Sequence, residues 1–274
     1  MISTRTSGRI LFAGGCHVNG YPIGESSSFS ELTSTALGYS SSQIVRIAPI
    51  GLSSPDRLFD YLQLNPPPDI TVLQFGNYEV PRPISRHARA ILSAGLHLNL
   101  AARPSVSSKR PWLSLPPQQV FTPTPAWQGR VLLKHAYATA AQHVTPKLYD
   151  AAAVRERLRW LLSHLAPFKV PTIVVLTPLP CADHMARGFR IASASIFHEE
   201  SARAGVLSLD TANALGYSSR KSSRSFAIYA DDRHLNLHGH QLLATTLTRL
   251  IESLHSKLAH ASEPAKIQLE PILA

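Results

Sequence analysis

Cysteine is nearly absent from this chain. Cys16 and Cys181 are the only two in 274 residues, which excludes a small fold stapled by several disulfides. Acids are also scarce: 17 Asp and Glu stand against 27 Lys and Arg, for a net charge of +10, and charged residues make up 16% of the chain. A nucleic-acid-binding surface concentrates such an excess in runs or on one helix face. Here the densest groups are Arg155, Arg157 and Arg159, then Arg220, Lys221 and Arg224. The charge reads as diffuse, and nucleic acid is not expected as a partner. Weak attraction to anionic substrates or surfaces is what such a balance gives. Long apolar runs are missing too. No stretch approaches the ~18–20 residues that a membrane helix needs. Ile10–Ala13, closed by Gly14-Gly15, is too short for a signal-peptide core. The expectation is a cytoplasmic protein with no membrane span.

What is present is an apolar fraction of 44%, enough for one α/β domain at this length. The runs Arg9–Ala13, Gln43–Ile47, Ile70–Phe75 and Thr172–Thr177, with Gly205–Leu209 as a weaker fifth, are apolar at successive positions. That is the mark of parallel strands buried on both faces. Helical stretches between them complete a βαβ alternation. The spacing predicts a helix over about Lys147–Leu165, with Leu148, Ala152, Leu158, Leu161, Leu162 and Leu165 on one face. Pro146 fits its first turn and Pro167 stops it. A last helix is expected over about His238–Leu258, and residues 263–274 read as a loose tail.

The interval from about 80 to 145 is longer than a crossover needs. Within it, Ile84–Ala101 reads as helical. The Pro- and Ser-rich stretch Arg103–Trp127 does not suit regular helix or central strand. It reads as a surface excursion anchored by Trp112, Phe121 and Trp127, or as a wall that selects substrate. The whole is one α/β domain over residues 1–262 with a long insertion.

In a parallel α/β sheet, sites form where strands end. Gly14-Gly15-Cys16-His17 follows the first strand, Ala48-Pro49-Ile50-Gly51 the second, and Gly76-Asn77-Tyr78-Glu79 the third. Asp231 and His234 stand three residues apart just before the last helix. Cys16 offers a nucleophile at a tight strand-to-helix turn, where a helix N-terminus favours an anion. Cysteine beside an imidazole can exist as a thiolate. His234 would take the nucleophile's proton and later protonate the leaving group. Asp231 would fix the imidazole tautomer and stabilise the imidazolium.

This order, nucleophile first and acid–histidine pair last, resembles that of the SGNH (GDSL-like) hydrolases. The resemblance covers roughly residues 8–80 and 170–258. It implies a flavodoxin-like three-layer sandwich with a central parallel sheet of about five strands. The family's Gly-Asp-Ser block stands here as Gly14-Gly15-Cys16, a variant with cysteine in the nucleophile's place. Its Asp-x-x-His block falls on Asp231 and His234, and its oxyanion glycine on Gly51. Its Gly-x-Asn-Asp block is represented by Gly76-Asn77 without the spacer. The implied oxyanion hole is the backbone of Cys16 and Gly51 with the amide of Asn77.

The implied activity is hydrolysis of an ester or thioester bond through a Cys-His-Asp triad and a covalent acyl-enzyme. The substrate would be a small-molecule, carbohydrate or lipid ester, with no cofactor. Two alternatives stand beside it. An acyltransferase would use the same triad, because a thioester intermediate is readily attacked by amines and thiols. A binding protein would keep the pocket with Cys16 as a small buried residue in a degenerate site.

Gly15, His17, Tyr78 and Glu79 are read as substrate-binding, with Glu79 alternatively tying loops together. His238 and His240 lack a third ligand, and Cys181-x-Asp183-His184 matches no ligand set, so no metal is expected. Arg155, Arg157 and Arg159 read as the solvated face of a helix.

Overall fold

Apolar side chains at successive positions of a strand point to opposite faces of the sheet, so such a strand is stable only with both faces covered. Three central strands meet that condition, β1 (Ile10–Gly14), β3 (Ile70–Gln74) and β4 (Thr172–Leu176), and two partly buried edge strands, β2 (Ile44–Ile47) and β5 (Leu207–Leu209), carry Arg46 and Ser208 in the run. The computed structural model describes residues 8–77, 79, 115–129, 131–133, 136, 151–217 and 226–261. The strands form one all-parallel sheet in the order β2-β1-β3-β4-β5. This is the flavodoxin-like doubly wound order, in which the chain leaves β1 toward one edge and returns to β3 on its other side. The loops after β1 and β3 therefore diverge and leave a crevice at their carboxyl ends.

Alternation along β1 shows the two layers. Ile10 and Phe12 join Val72, Val174, Leu243 and Leu247 on one face. Leu11 and Ala13 join Leu58, Leu161, Leu165 and Val175 on the other. Each such fully buried side chain contributes roughly 1.5–3 kcal/mol of burial free energy. The flanking helices are α1 (Phe29–Ala36), α2 (Asp56–Leu64), α3 (Ala151–Leu165), α4 (His184–Ala192), α5 (Ala194–Arg203), α6 (Thr211–Ala214) and α7 (Leu237–Ala261). The first face packs α1 against α7, and the second packs α3 against α5. No helix among the described residues is long and apolar enough to cross a membrane.

The expected α/β architecture is the observed one. The described part of the helix expected over 147–165 starts at Ala151 and ends at Leu165, where Pro167 sits in a 3₁₀ turn over Ala166–Phe168. The helix expected over 84–101, Trp112, and most of the insertion lie outside the described residues. Of the stretch expected to be irregular, 125–127 instead belongs to a helical segment over 125–129, with Pro125 at its first position, where the missing N–H costs nothing.

The described end of the insertion is stitched to the loop that precedes α7. Phe121 donates its N–H to the Tyr229 carbonyl at 2.7 Å, and Leu237 donates to Pro117 at 2.8 Å. Phe121, Trp127 and Phe226 meet edge to face beside it. One reading of the surface is corrected. Arg155 and Arg159 are not merely solvated, because both bind the Glu200 carboxylate on α5, at 2.9–3.0 Å.

Candidate active site

The turn after β1 is dictated by close backbone approach. Gly14 has φ +153, and a Cβ there would lie 2.1 Å from the Gln74 carbonyl oxygen, so no other residue fits without moving β3. Gly15 donates its N–H to the Gln74 backbone and to Gln74 Oε1, both at 3.2 Å. Gly15 is thereby buried and its donor spent on the turn, which differs from the substrate contact expected of it. The chain then makes one 3₁₀ turn, Cys16–Asn19, closed by Gly20 at φ 69. The helix dipole expected behind the nucleophile is therefore small, since α1 starts only at Phe29. Activation of the half-buried Cys16 falls to its polar neighbours.

The second and third loops are drawn in by hydrogen bonds. Ile50 donates its N–H to the Gly14 carbonyl at 2.8 Å, which seats Gly51 beside the end of β1. Glu79 accepts from Leu52 N–H at 2.8 Å through Oε1 and from Gly76 N–H at 3.2 Å through Oε2. A Cβ on Gly51 would lie 2.6 Å from the same Oε1. Glu79 is thus a strap between the two loops, with its carboxylate turned to backbone amides and not to a ligand. Tyr78 lies outside the described residues.

The fourth loop carries the acid–histidine pair. A β-bridge between Tyr229 and Leu235 closes it, and Ala230 N–H donates to the His234 carbonyl at 2.9 Å. Asn236 pins its far end. It donates to the Ala227 carbonyl at 2.8 Å and accepts the Gly239 N–H at 3.1 Å, capping α7. Asp231 Oδ1 accepts the N–H groups of Arg233 and His234 at 2.7 and 2.8 Å, which aims the carboxylate at the imidazole. His234 Nδ1 then lies 2.9 Å from Oδ1 and 2.8 Å from Oδ2.

Cys16 is the other neighbour that favours a proton on the His234 ring. Burial pushes the imidazole toward neutrality, but the hydrogen bonds and charges of Asp231 and Cys16 outweigh it and raise its pKa to about 9. Burial opposes the charge on Asp231, and the bond to His234 still holds it below its ordinary value. Tyr21 stands edge-on to the imidazole, with centroids 4.7 Å apart.

Beneath this chain lies a buried layer. His17, expected as polar lining of the substrate pocket, is 2% exposed and packs against His234 at 5.3 Å and His240 at 6.1 Å between centroids. Burial, then the charges of His234, His240 and Arg190, hold His17 well below the usual imidazole range. His240 accepts the Phe29 N–H at 3.0 Å, and burial pushes its pKa down to about 3. Its sequence neighbour His238 is exposed, so the two point apart. No group of three or more metal-ligating side chains occurs among the described residues.

Asn77 is 3% exposed and fastened at three points. Leu179 N–H donates to Oδ1 at 2.8 Å, Arg190 Nη2 donates to its carbonyl at 2.7 Å, and Nδ2 lies 3.5 Å from His17 Nδ1. Gln74, Arg190 and Tyr21 escaped the sequence reading. Nothing in local spacing marks them, because each acts through a partner distant in the chain.

The structure thus brings Cys16, His234, Asp231, Asn77, Gly51, Gly15, His17 and Glu79 to one end of the sheet. A thiol, an imidazole held by a carboxylate, and an amide donor at one end of the sheet can serve as nucleophile, base and site for developing negative charge. Cys181 is separate from this chemistry. It is buried, its Sγ contacts the Asp183 carbonyl at 3.6 Å, and burial pushes its thiol pKa up.

No family model and no curated protein matches the sequence. Solved structures do match the fold. A member of the lipolytic G-D-S-L family from Veillonella parvula superposes with a TM-score of 0.52 at 9% identity, covering 90% of this chain and 99% of its own. A catalytic mutant of an acetylxylan esterase from Geobacillus stearothermophilus gives 0.50 at 14% identity, over 92% of this chain and 96% of its own. The lipase/acylhydrolase from Enterococcus faecalis gives 0.50 at 17% identity, over 90% and 96%. What the chain shares with all three is the α/β architecture along nearly its full length.

Proposed function

We propose that this protein cleaves an ester or thioester bond through a covalent thioester on Cys16. The observation that carries the reading is His234 at the carboxyl ends of the strands, its Nδ1 held by the Asp231 carboxylate at 2.8–2.9 Å while Cys16 and Asp231 together push its pKa up to about 9. The esterase and lipase names of the structures that share this fold agree with it.

In the first half-reaction the Cys16 thiol gives its proton to His234, Sγ attacks the carbonyl carbon, and the π electron pair of the carbonyl moves to oxygen. Asn77, with the Cys16 and Gly51 backbone, donates to that oxyanion. The oxyanion collapses, the bond to the leaving group breaks, and the His234 N–H proton goes to the departing oxygen or sulfur. In the second half-reaction His234 takes a proton from water. The resulting hydroxide attacks the thioester, and Cys16 leaves as thiolate. Asp231 keeps Nδ1 of His234 protonated and so turns Nε2 toward the chemistry.

The test is turnover of short-chain p-nitrophenyl esters and thioesters by wild type, Cys16→Ala, His234→Ala and Cys16→Ser, with intact-mass detection of the acyl adduct. Wild type should turn over and carry one acyl group on Cys16. Both alanine variants should lose more than about 10³-fold in kcat. Wild type without turnover, or Cys16→Ala with undiminished turnover, overturns the reading. An added alcohol or amine that raises the rate of acyl-enzyme breakdown above that in water would assign the acyltransferase version of the same chemistry.

A further inference from the structure

We propose that His17 is a positioning residue, an imidazole whose Nδ1 accepts a hydrogen bond from Asn77 and thereby fixes that amide as the oxyanion donor. The inference rests on the functional reading above and names a residue that the triad does not include. It follows from one unambiguous donor. The backbone N–H of Leu179 lies 2.8 Å from the Asn77 amide and can only donate, so the atom it meets must be the oxygen Oδ1. The NH2 end of Asn77 then faces His17 Nδ1 at 3.5 Å. Two N–H groups cannot share a bond, so a hydrogen bond here has Nδ1 presenting its lone pair and the ring proton on Nε2.

The surroundings agree with that tautomer. Nε2 is buried with no hydrogen-bond partner of good geometry, and the backbone of Arg233 is the group that favours a proton on the ring. The charged and titratable groups around the ring are His234, His240 and Arg190, and all three oppose a second imidazolium. Cys16 Sγ also lies 3.9 Å from Nδ1. With that lone pair committed to Asn77, Cys16 is left to exchange its proton with His234. One imidazole handles the proton, and the other holds the amide that receives the oxyanion.

The geometry explains how Asn77 reaches the site without the spacer residue. Three anchors hold it: Leu179 N–H on Oδ1, Arg190 on the carbonyl, and His17 on Nδ2. Two of these lie outside its own loop on the β4 side, and the third comes from the residue after the nucleophile. The second hydrogen of Nδ2 is the one that remains for substrate.

The experiment compares His17→Phe, which keeps a planar ring and removes the acceptor, with His17→Asn, whose Oδ1 occupies roughly the place of Nδ1. Expected in His17→Phe is a loss of about 10²-fold in kcat with KM within about twofold, the scale of one misplaced oxyanion donor. His17→Asn should restore kcat to within about tenfold of wild type. Iodoacetamide labelling of Cys16 against pH should be unchanged in both variants, because the Cys16–His234 pair is untouched.

Loss of kcat below threefold in His17→Phe, no rescue by Asn, or a moved labelling profile would each overturn the inference. The last outcome would assign His17 to the thiol instead. If wild type turns nothing over, the functional reading fails, and ¹⁵N NMR of the resting protein decides the present point independently. An unprotonated Nδ1 and protonated Nε2 on His17 between pH 5 and 9 upholds it, and a proton on Nδ1 overturns it.

Discussion

Asp231 and Glu200 are both carboxylates held below their ordinary pKa by basic neighbours, yet only one belongs to the proposed site. Glu200 is 1% exposed at its side chain and is gripped by Arg155, Arg159 and Arg203. The hydrogen bond from Arg159 is the strongest of the influences that keep it ionised. Every partner is a guanidinium, which does not give up its proton in a protein. The cluster is closed, and it ties α3 to α5. Asp231 is 33% exposed and holds a single imidazole, whose pKa of about 9 leaves it able to release a proton. Cys16 is the other group that acts on that imidazole. A perturbed carboxylate marks chemistry when its partner can exchange a proton and has an open side, and burial alone is a poor guide.

That contrast can be broken first at Asp231. Asp231→Asn keeps the size of the side chain and removes the charge that fixes the His234 tautomer. The expected result is a loss of roughly 10³-fold in kcat. The alkaline limb of the pH–rate profile should also move down from about 9, because the Asp231 hydrogen bond is what raises the imidazole. The measurement is kcat/KM against pH on the best ester of the panel. An unmoved limb would mean that Asp231 does not control the proton. A smaller effect is expected at the strap. Glu79→Ala leaves the N–H groups of Leu52 and Gly76 without their acceptor. The loop bearing Gly51 should loosen and kcat fall about tenfold, with thiol labelling of Cys16 retained. Labelling lost together with kcat would place the damage at the nucleophile instead.

What the sequence made legible follows from which interactions are local. The five strands were readable to within one or two residues, most plainly the three central ones, because strands buried on both faces must be apolar at successive positions. The last helix was readable from the repeat that places Leu243, Leu247 and Ile251 in the core. The Asp231–His234 spacing was readable because the pair is closed by its own four-residue loop. The layer beneath was not. Gln74 ends an apolar strand and binds Gly15, 59 positions away, and Arg190 reaches Asn77 across 113. His17 looked like lining because its neighbour is a nucleophile, whereas tertiary packing turns it inward onto His240. The Arg155 and Arg159 tie to Glu200 was hidden for the same reason, since the acid lies more than 40 positions downstream.

The smallest expected effect lies at the closed cluster, and its pH dependence sharpens the contrast. Glu200→Gln should leave kcat within about twofold and lower Tm by roughly 2–4 °C at pH 7, the scale of one modest ion-pair loss in a chain this size. The Glu200 carboxyl is held below its unfolded value of 4.5. Its contribution is therefore present above that pH and lost as the pH falls through the lower folded value. His234 behaves in the opposite sense. Its pKa rises from 6.5 to about 9 on folding, so its contribution is full below 6.5 and disappears as the pH rises through 9. Thermal unfolding of wild type, Glu200→Gln and His234→Ala at pH 6 and pH 10 separates the two. The Glu200→Gln deficit should be equal at both, because neither the carboxylate nor the guanidinium groups titrate between them. The His234→Ala deficit should shrink at pH 10. A Glu200→Gln deficit that shrinks in step with it would mean that the arginine cluster shares the proton chemistry of the site, and the division between closed and open carboxylates would fail.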